Sequence, residues 1–523
     1  MSFIIKSASM SQEFLLTKVI ATLGPASESP LMIRQLIEEG VDVFRLNFSH
    51  GSMEMHAELL DRIRQVSKEL DIPVAVMGDL SGPKIRIGEV PEGGILLSPD
   101  RQVEFVDAES LAICKEEAER VILTTNYPDF IREVMPGQRI LLDDGAVALV
   151  CDQKTGSGKT GKLICKVMNS GLITSRKGVN LPDTELSVPA LTEKDHRFIE
   201  FAVAHEIDFL ALSFVRTAGD IRSLKDRLRE LKVRPVRTRF TDQRQDAWRK
   251  VMPRSGPFIP VISKIEKPQA LDNLEEILHE TDLVMVARGD LGVEVELAEV
   301  AVHQKRIMQL CHEYGVPVIV ATQMLQSMIQ SPSPTRAEVS DVANAIFDGA
   351  DAVMLSGETA VGHYPLEAVR MMNRITERTN DYLRSNGTPL TLPHHFRQGT
   401  KESAAIAHGV KTIVEDLDIR MIVTWTHLAE SIVYLSQYHI PLPILGFSNR
   451  AEDLRKMTLL YGLIPMYMEL PKSGSQFIQQ VDQLLMERKW AKPGDAIVFV
   501  LGEPIQRPGI SNRLVVHCLG DSE

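Results

Sequence analysis

The sequence predicts an α/β protein: a closed (β/α)8 barrel, interrupted by a small inserted β domain and followed by a C-terminal α/β domain. Three observations carry this expectation. Short apolar runs alternate with helix-patterned segments from Thr17 onward. From about Gly88 to Pro182 the rhythm changes to short alternating strands, with turns at Glu92-Gly93-Gly94, Pro136-Gly137, Asp143-Asp144-Gly145 and Thr155 to Gly161. Near Leu191 the strand–helix alternation resumes and continues until eight apolar runs have accumulated. A doubly wound open sheet is the alternative for such an alternation.

Taken in order, the first run is Lys18 to Thr22, after a leader (1–16) expected to be loosely attached. Ser29 is placed to cap the next helix, with Pro30 at its first position. Val41 to Leu46 is the second strand, Ser52 to Leu70 a helix, and Ile72 to Met77 the third strand. After the insertion come Asp208 to Phe214, the run opening at Pro260, then Leu283 to Ala287, Pro317 to Thr322 and Ala350 to Leu355. The stretch from Pro260 to Gly292 shows the repeating unit most plainly. An apolar run ends on Lys264, Glu266 and Lys267, a helix follows from Pro268 to His279, and a second run ends on Arg288, Gly289 and Asp290. Asn386 to His395 reads as a linker. Beyond it lie a helix at 403–415, a strand at 421–423, a helix at 428–437, and strands at 444–447 and 496–500. The expected units are a barrel of 17–87 and 186–380, an inserted domain of 88–185 and a C-terminal domain of 381–523.

The 523 residues, 44% hydrophobic and 24% charged, suit about two to four globular domains. A formal net charge of −12 argues against nucleic acid or an anionic membrane as main partner, so any anion site must be locally cationic. Lys264 and Arg288 are candidates for that role. The five cysteines, Cys114, Cys151, Cys165, Cys311 and Cys518, have no CxxC spacing and read as reduced thiols of a cytoplasmic protein. No segment reads as a signal peptide or a membrane span. His303 and His312 lie on one helix with Cys311 at a spacing that suggests no metal site.

Set side by side, the strand ends present Thr22; Arg45, Asn47 and Ser49; Asp79; Ser213; Lys264 and Glu266; Gly289 and Asp290; Thr322; Ser356 and Glu358. The carboxyl-terminal face is where barrels of this kind do chemistry. Glu266 and Asp290, hard-oxygen donors beside cations, suggest a divalent metal such as Mg2+ holding an anionic substrate. A solvated ion-pair rim is the bland alternative for one strand–helix unit, and recurrence at every strand tip weighs against it.

Several long segments together resemble the pyruvate kinase family: TKVIATLGPAS, GVDVFRLNFSHGS, GPKIRIG, KGVNLP, ISKIE, VMVARGDLGVE, ATQMLQSM and PTRAEVSDVANAIFDGADAVMLSGETAVGHYP, in the family's order. The resemblance is close from Thr17 to Thr379 and looser in the last third. It implies a TIM barrel that transfers a phosphoryl group from phosphoenolpyruvate to ADP. By the same resemblance Arg45 holds the substrate phosphate, and Lys264 neutralises the phosphoryl group in transfer. Glu266 and Asp290 ligate Mg2+, for which Mn2+ can substitute. The amides around Ala287 to Asp290, Gly289 included, receive the substrate carboxylate, and Thr322 lines the face where the enolate is protonated. Arg86 and Lys177, at the two roots of the inserted domain, reach the ADP phosphates. A homotetramer is implied as well. Phosphoryl transfer needs positioning and charge neutralisation more than covalent help, which suits such a set, and an inserted domain at the barrel mouth suits a lid.

This chain departs from the family pattern in three places. Leu80, Lys84 and Ile87 stand where K+-requiring members carry threonine, glutamate and threonine. The expectation is that K+ is not required and that the Lys84 ammonium fills the pocket of Asn47, Ser49, Asp79 and the Leu80 carbonyl; K+ binding with Lys84 in solvent is the alternative. Arg234 to Pro257 is a basic insertion expected on the barrel face away from the chemistry. Thr424 to Ala429 lacks the glycine of a phosphate loop and carries Trp425, so fructose 1,6-bisphosphate is not expected to bind there in the usual way. Two further function classes compete. A barrel lyase or aldolase would leave Arg86 and Lys177 unexplained, and a non-catalytic sensor would be expected to lose one of Arg45, Lys264, Glu266 or Asp290.

Overall fold

The computed structural model describes residues 14–99, 101–107, 115–116, 120–156, 161–233, 258–387, 390, 392–395, 401–426, 432–506 and 512–521. Eight parallel strands close into a barrel. They are β1 (Lys18–Thr22), β2 (Val43–Asn47), β3 (Ala75–Leu80), β4 (Phe209–Leu212), β5 (Val261–Ile265), β6 (Leu283–Ala287), β7 (Val318–Ala321) and β8 (Ala352–Leu355). The doubly wound alternative is thereby excluded. Both faces of each strand are covered, which is why the runs are apolar throughout instead of alternating. Inside, Ile20, Met77, Ile262, Met285, Ile319 and Met354 fill the barrel; outside, a second core lies under the helices.

Boundaries shift for identifiable reasons. The third strand starts at Ala75, not Ile72, because Pro73 has no N–H to enter the ladder. The helix expected from Pro268 to His279 is two, Pro268–Asp272 and Leu274–Glu280. Asn273 breaks it, and its side-chain amide donates to the Arg216 carbonyl at 3.1 Å. Ser29 caps the Pro30–Glu38 helix as expected, accepting from the Met32 amide at 3.2 Å.

At the amino-terminal face a pattern recurs that the sequence reading passed over. Asp42, Asp208, Asp282 and Asp351 each directly precede an even-numbered strand. Each carboxylate accepts the amide of a residue on the preceding odd strand: Val19 at 2.8 Å, Val76 at 2.8 Å, Val261 at 2.9 Å and Val318 at 2.7 Å. Each aspartate's own amide donates back to the carbonyl of that same valine. The device brackets alternate strand pairs around the barrel's floor.

The inserted unit folds on its own core, with Phe105, Phe130, Leu149 and Leu163 at its centre. Its larger sheet is antiparallel except for one pair, Gln102–Val106 with Arg120–Leu123, which is parallel. Its two roots meet. Arg86 bridges Gly178, Ile87 donates to the Lys177 carbonyl at 3.0 Å, and Val179 donates to Ile85 at 2.9 Å.

The C-terminal sheet has five strands in the order Leu463–Tyr467, Ile444–Ser448, Ile419–Trp425, Ala496–Leu501, Arg513–Cys518. The two outermost went unforeseen. One carries Pro465 in its interior, which an edge tolerates, and the other is the sheet's antiparallel member. This domain seals the barrel floor. Leu459 joins the interior cluster, Arg455 Nε lies 2.7 Å from Asp208, and Gln437 Nε2 donates to Asp351 at 2.7 Å.

The end of the leader is not loose. Phe14 and Leu16 are buried, Phe14 meets the Trp490 ring edge-on at 4.9 Å, and the Leu16 carbonyl accepts from Gly462 at 2.8 Å. Residues 1–13, Cys114, the basic insertion at 234–257 and His427 to Ala429 lie outside the described residues. Cys151, Cys165 and Cys518 are free thiols. Among the described residues, no helix is long and apolar enough to cross a membrane.

Candidate active site

The carboxyl ends of β1 to β6 bring an ammonium, a guanidinium and several acids into one buried cluster. Parallel registry aligns the tips: Thr22 pairs with Arg45, Asn47 with Asp79, and Lys264 with Met285. Lys264 Nζ, from β5, donates to Ser213 Oγ at 2.8 Å and lies 2.8 Å from Glu266 Oε1 and 3.4 Å from Asp79 Oδ1. Arg45 Nε reaches the other Asp79 oxygen at 2.7 Å, and its Nη1 lies 3.2 Å from Thr22 Oγ1. Glu266 Oε2 accepts from the Phe214 amide at 2.7 Å. Residues from three distant stretches of chain, Arg45, Asp79 and the Lys264/Glu266 pair, therefore share one network, with Asp79 bridging the two cations.

Charge balance in this cluster favours acid. Burial alone would lower the Lys264 pKa, but Asp79, Glu266 and Asp290 together raise it. Burial would likewise raise Asp79, but Lys264 and Arg45 hold it below its ordinary value. Glu266 is pushed up to about 7, first by burial and then by Asp290, against the pull of Lys264. The lysine faces three carboxylates, whereas Glu266 faces one cation and a second acid. A surplus of hard oxygen at Glu266 and Asp290 is the donor set a small divalent cation would neutralise, so these residues fit Mg2+.

Beside this cluster the chain turns sharply after β7. Thr322 and Gln323 have φ of 67° and 54°, a conformation uncommon outside glycine. Thr322 Oγ1 accepts the Gly289 amide at 2.7 Å and donates to the Ala321 carbonyl at 2.6 Å. Here Arg288 departs from expectation. It does not line the anion site; its Nη2 donates to the Thr322 and Gln323 carbonyls at 3.0 and 3.2 Å, and its Nη1 pairs with Asp341 at 2.6 Å. It braces the corner from behind. Glu358 is similarly committed to the Leu325 and Ser356 amides at 3.0 and 2.8 Å.

Around the cleft between barrel and inserted domain stand Lys84, Asp144, Asn180, Phe214, Lys267 and Asp290. Arg86 and Lys177 stand at the paired roots of the inserted unit. Arg86 Nη1 donates to the Arg176 carbonyl at 2.9 Å, and Lys177 Nζ pairs with Asp143 at 2.8 Å. The Lys84 side chain packs on Gly178 beside the Asp144 carboxylate and makes no ion pair with Asp79. In the pocket assigned to it, Asn47 Oδ1 accepts the Ser49 amide at 3.1 Å and the Leu80 carbonyl accepts from Ser213 at 2.7 Å. Sequence reasoning missed one contact that spans the cleft. Glu294 takes Lys267 Nζ at 2.5 Å and Asn180 Nδ2 at 2.6 Å, joining the root of the insertion to the barrel. Its signal was present, since Glu294 closes the VMVARGDLGVE segment.

A barrel whose carboxyl-terminal face gathers two cations and hard-oxygen acids beside an inserted domain is that of a phosphotransferase. The pyruvate kinase barrel-domain family model matches residues 15–238 and 232–369, and the pyruvate kinase alpha/beta-domain model matches 404–517. Among curated proteins, pyruvate kinases of Mycobacterium intracellulare and Mycobacterium tuberculosis are 40% and 39% identical over 509 residues, covering 97% of this chain and 99% of theirs. A crystal structure of a Cryptosporidium parvum pyruvate kinase matches with a TM-score of 0.83 at 30% identity, covering 98% of this chain and 97% of that one. The chain belongs to the pyruvate kinase family, and its reaction is the glycolytic transfer of a phosphoryl group from phosphoenolpyruvate to ADP.

Proposed function

We propose that the reaction runs on Arg45, Lys264, Glu266, Asp290 and Thr322 in the roles their family resemblance implies. The observation that supports this most is the single network of Lys264, Asp79, Arg45 and Glu266. Glu266 and Asp290 would hold Mg2+, or Mn2+ in its place, and that ion would supply Lewis-acid charge to the phosphoryl oxygens. Lys264, locked in place by Ser213 and Glu266, would offer a fixed positive charge where the phosphoryl group passes to ADP and negative charge is left on the enolate oxygen. Arg45 adds a second, held at the correct angle by Asp79 and Thr22. The Gly289 amide donates to Thr322 Oγ1 and would exchange that partner for the substrate carboxylate, leaving the threonine hydroxyl to face the enolate. Arg86 and Lys177 would turn to the ADP phosphates as the unit at 88–185 closes as a lid on the barrel of 17–87 and 186–380.

The test is binding as well as rate. Free Mn2+ is read by its paramagnetic resonance as protein is added. Glu266→Gln should abolish tight uptake and coupled pyruvate formation together. Undiminished Mn2+ uptake by that variant would move the metal elsewhere.

K+ independence is part of the proposal. Arg45 and Lys264 already neutralise Asp79, and protein donors occupy Asn47 Oδ1 and the Leu80 carbonyl. Lys84, on the hinge beside Gly178, would swing its ammonium toward that pocket on closure. Rates in Na+, K+ and tetramethylammonium salts should agree; a large K+-specific activation would overturn this. We also propose that fructose 1,6-bisphosphate does not act through Thr424 to Ala429. Thr424, Trp425 and Thr426 are buried, with Trp425 against Phe477. A homotetramer in the cytoplasm completes the proposal, with phosphoenolpyruvate and ADP as its partners in place of nucleic acid or membrane; light scattering reads the mass.

A further inference from the structure

The Val300–Tyr314 helix ends against the segment that leaves the barrel for the C-terminal domain. Both His394 and His395 donate their backbone amides to the Glu313 carbonyl, at 3.0 and 2.9 Å. That double bond clamps two adjacent imidazoles over the last turn of the helix. The His395 ring stacks on Tyr314 at 4.5 Å between centroids, and the His394 ring lies 4.3 Å from that of His395. The outcome is a group of three side chains of kinds that can ligate a metal. One donor atom each of Glu313, His394 and His395 lies within 4.8 Å of the others.

We propose that Glu313, His394 and His395 form a site for a transition-metal dication of the Zn2+ type, separate from the hard-oxygen site at Glu266 and Asp290. The chemistry selects the ion: two imidazoles and one carboxylate suit zinc and its borderline neighbours, whereas Mg2+ keeps to oxygen. Orientation supports it. His394 Nδ1 lies 3.2 Å from the Leu392 carbonyl, which can only accept, so Nδ1 carries the proton and Nε2 the lone pair. A ligating histidine is commonly oriented in this manner. Gln309 Nε2 donates to Glu313 Oε1 at 2.9 Å, steadying the carboxylate and leaving Oε2 for the ion. Zinc would draw its ligands to about 2.0–2.2 Å, an adjustment that side-chain rotation of the two exposed histidines would supply. Water would complete the coordination. Bound there, the ion would staple the interdomain segment to the barrel helix.

The probe is Zn2+ alone, titrated into the full-length protein against a chromophoric chelator, with excess Mg2+ to saturate the oxygen site. About one competing Zn2+ per chain is expected. The His394→Gln/His395→Gln double variant should lose it, and Glu313→Gln should bind at least tenfold more weakly. With Co2+ in place of Zn2+, visible ligand-field bands should appear in the wild type and vanish in the double variant. Turnover of phosphoenolpyruvate should match the wild type in all variants, since none of these residues touches the barrel mouth. No competing Zn2+ in the wild type, or the same affinity in the double variant, overturns the site. Should the double variant fail to fold, unchanged affinity in Glu313→Gln overturns it alone.

Discussion

Lys264 is worth more to this cluster than its single charge, because it satisfies Ser213, Asp79 and Glu266 at once. Lys264→Met should lower kcat about 10²–10³-fold, read in a pyruvate-coupled assay, since it removes a preorganised charge from a dry site. The Michaelis constant for phosphoenolpyruvate should move far less. A second residue-scale prediction concerns Asp42 on the opposite face. Burial raises its pKa to about 6, only partly offset by Lys18 and the Val19 amide. Between about pH 4 and pH 6 the folded chain therefore holds a proton that the unfolded chain has released, and stability falls as pH rises. Its side chain is 25% exposed, so the effect should reach about 1–3 kcal/mol. Denaturant midpoints of wild type and Asp42→Asn should diverge across that window and run parallel above it. Which charged residues would gather at the strand tips was largely legible, since charge stands out after an apolar run. Arg288 was not. A guanidinium at a strand tip reads alike whether it faces the substrate or braces carbonyls behind it.

At the scale of elements, the corner after β7 depends on its brace. Two consecutive residues in the left-handed region cost energy that Arg288 offsets through both of their carbonyls. Arg288→Met should cost about 1–3 kcal/mol of unfolding free energy by orphaning those groups. It should also raise the Michaelis constant for phosphoenolpyruvate, because Thr322 and the Gly289 amide would lose their positions. Chemical denaturation and steady-state kinetics check the two halves. Strand existence was readable because buried parallel strands are apolar throughout. Their first residues were not, for proline and the pre-strand aspartates decide where pairing begins. Edge strands Leu463–Tyr467 and Arg513–Cys518 escaped notice because an edge relaxes the pattern that marks an interior strand.

For the whole molecule, the barrel floor couples the catalytic domain to the C-terminal one. Asp208 is shared between Arg64 of the barrel and Arg455 of the C-terminal domain, at 2.7 Å each, and Asp351 takes Gln437. The calorimetric trace of the wild type should show the two domains melting together. Arg455→Met with Gln437→Leu should separate them into two transitions, with the C-terminal domain melting first. A single unchanged transition would mean that Leu459 and its apolar surroundings suffice. By itself the sequence determined the eight-fold alternation, the insertion, the family and the charged residues at the strand tips, because local periodicity and composition encode them. Tertiary structure alone decided three things: the sharing of Asp79 between Arg45 and Lys264, the withdrawal of Arg288, and the meeting of Glu313 with His394 and His395. Each depends on the direction of side chains brought together by barrel closure and domain docking, and a linear pattern carries no record of direction across such distances.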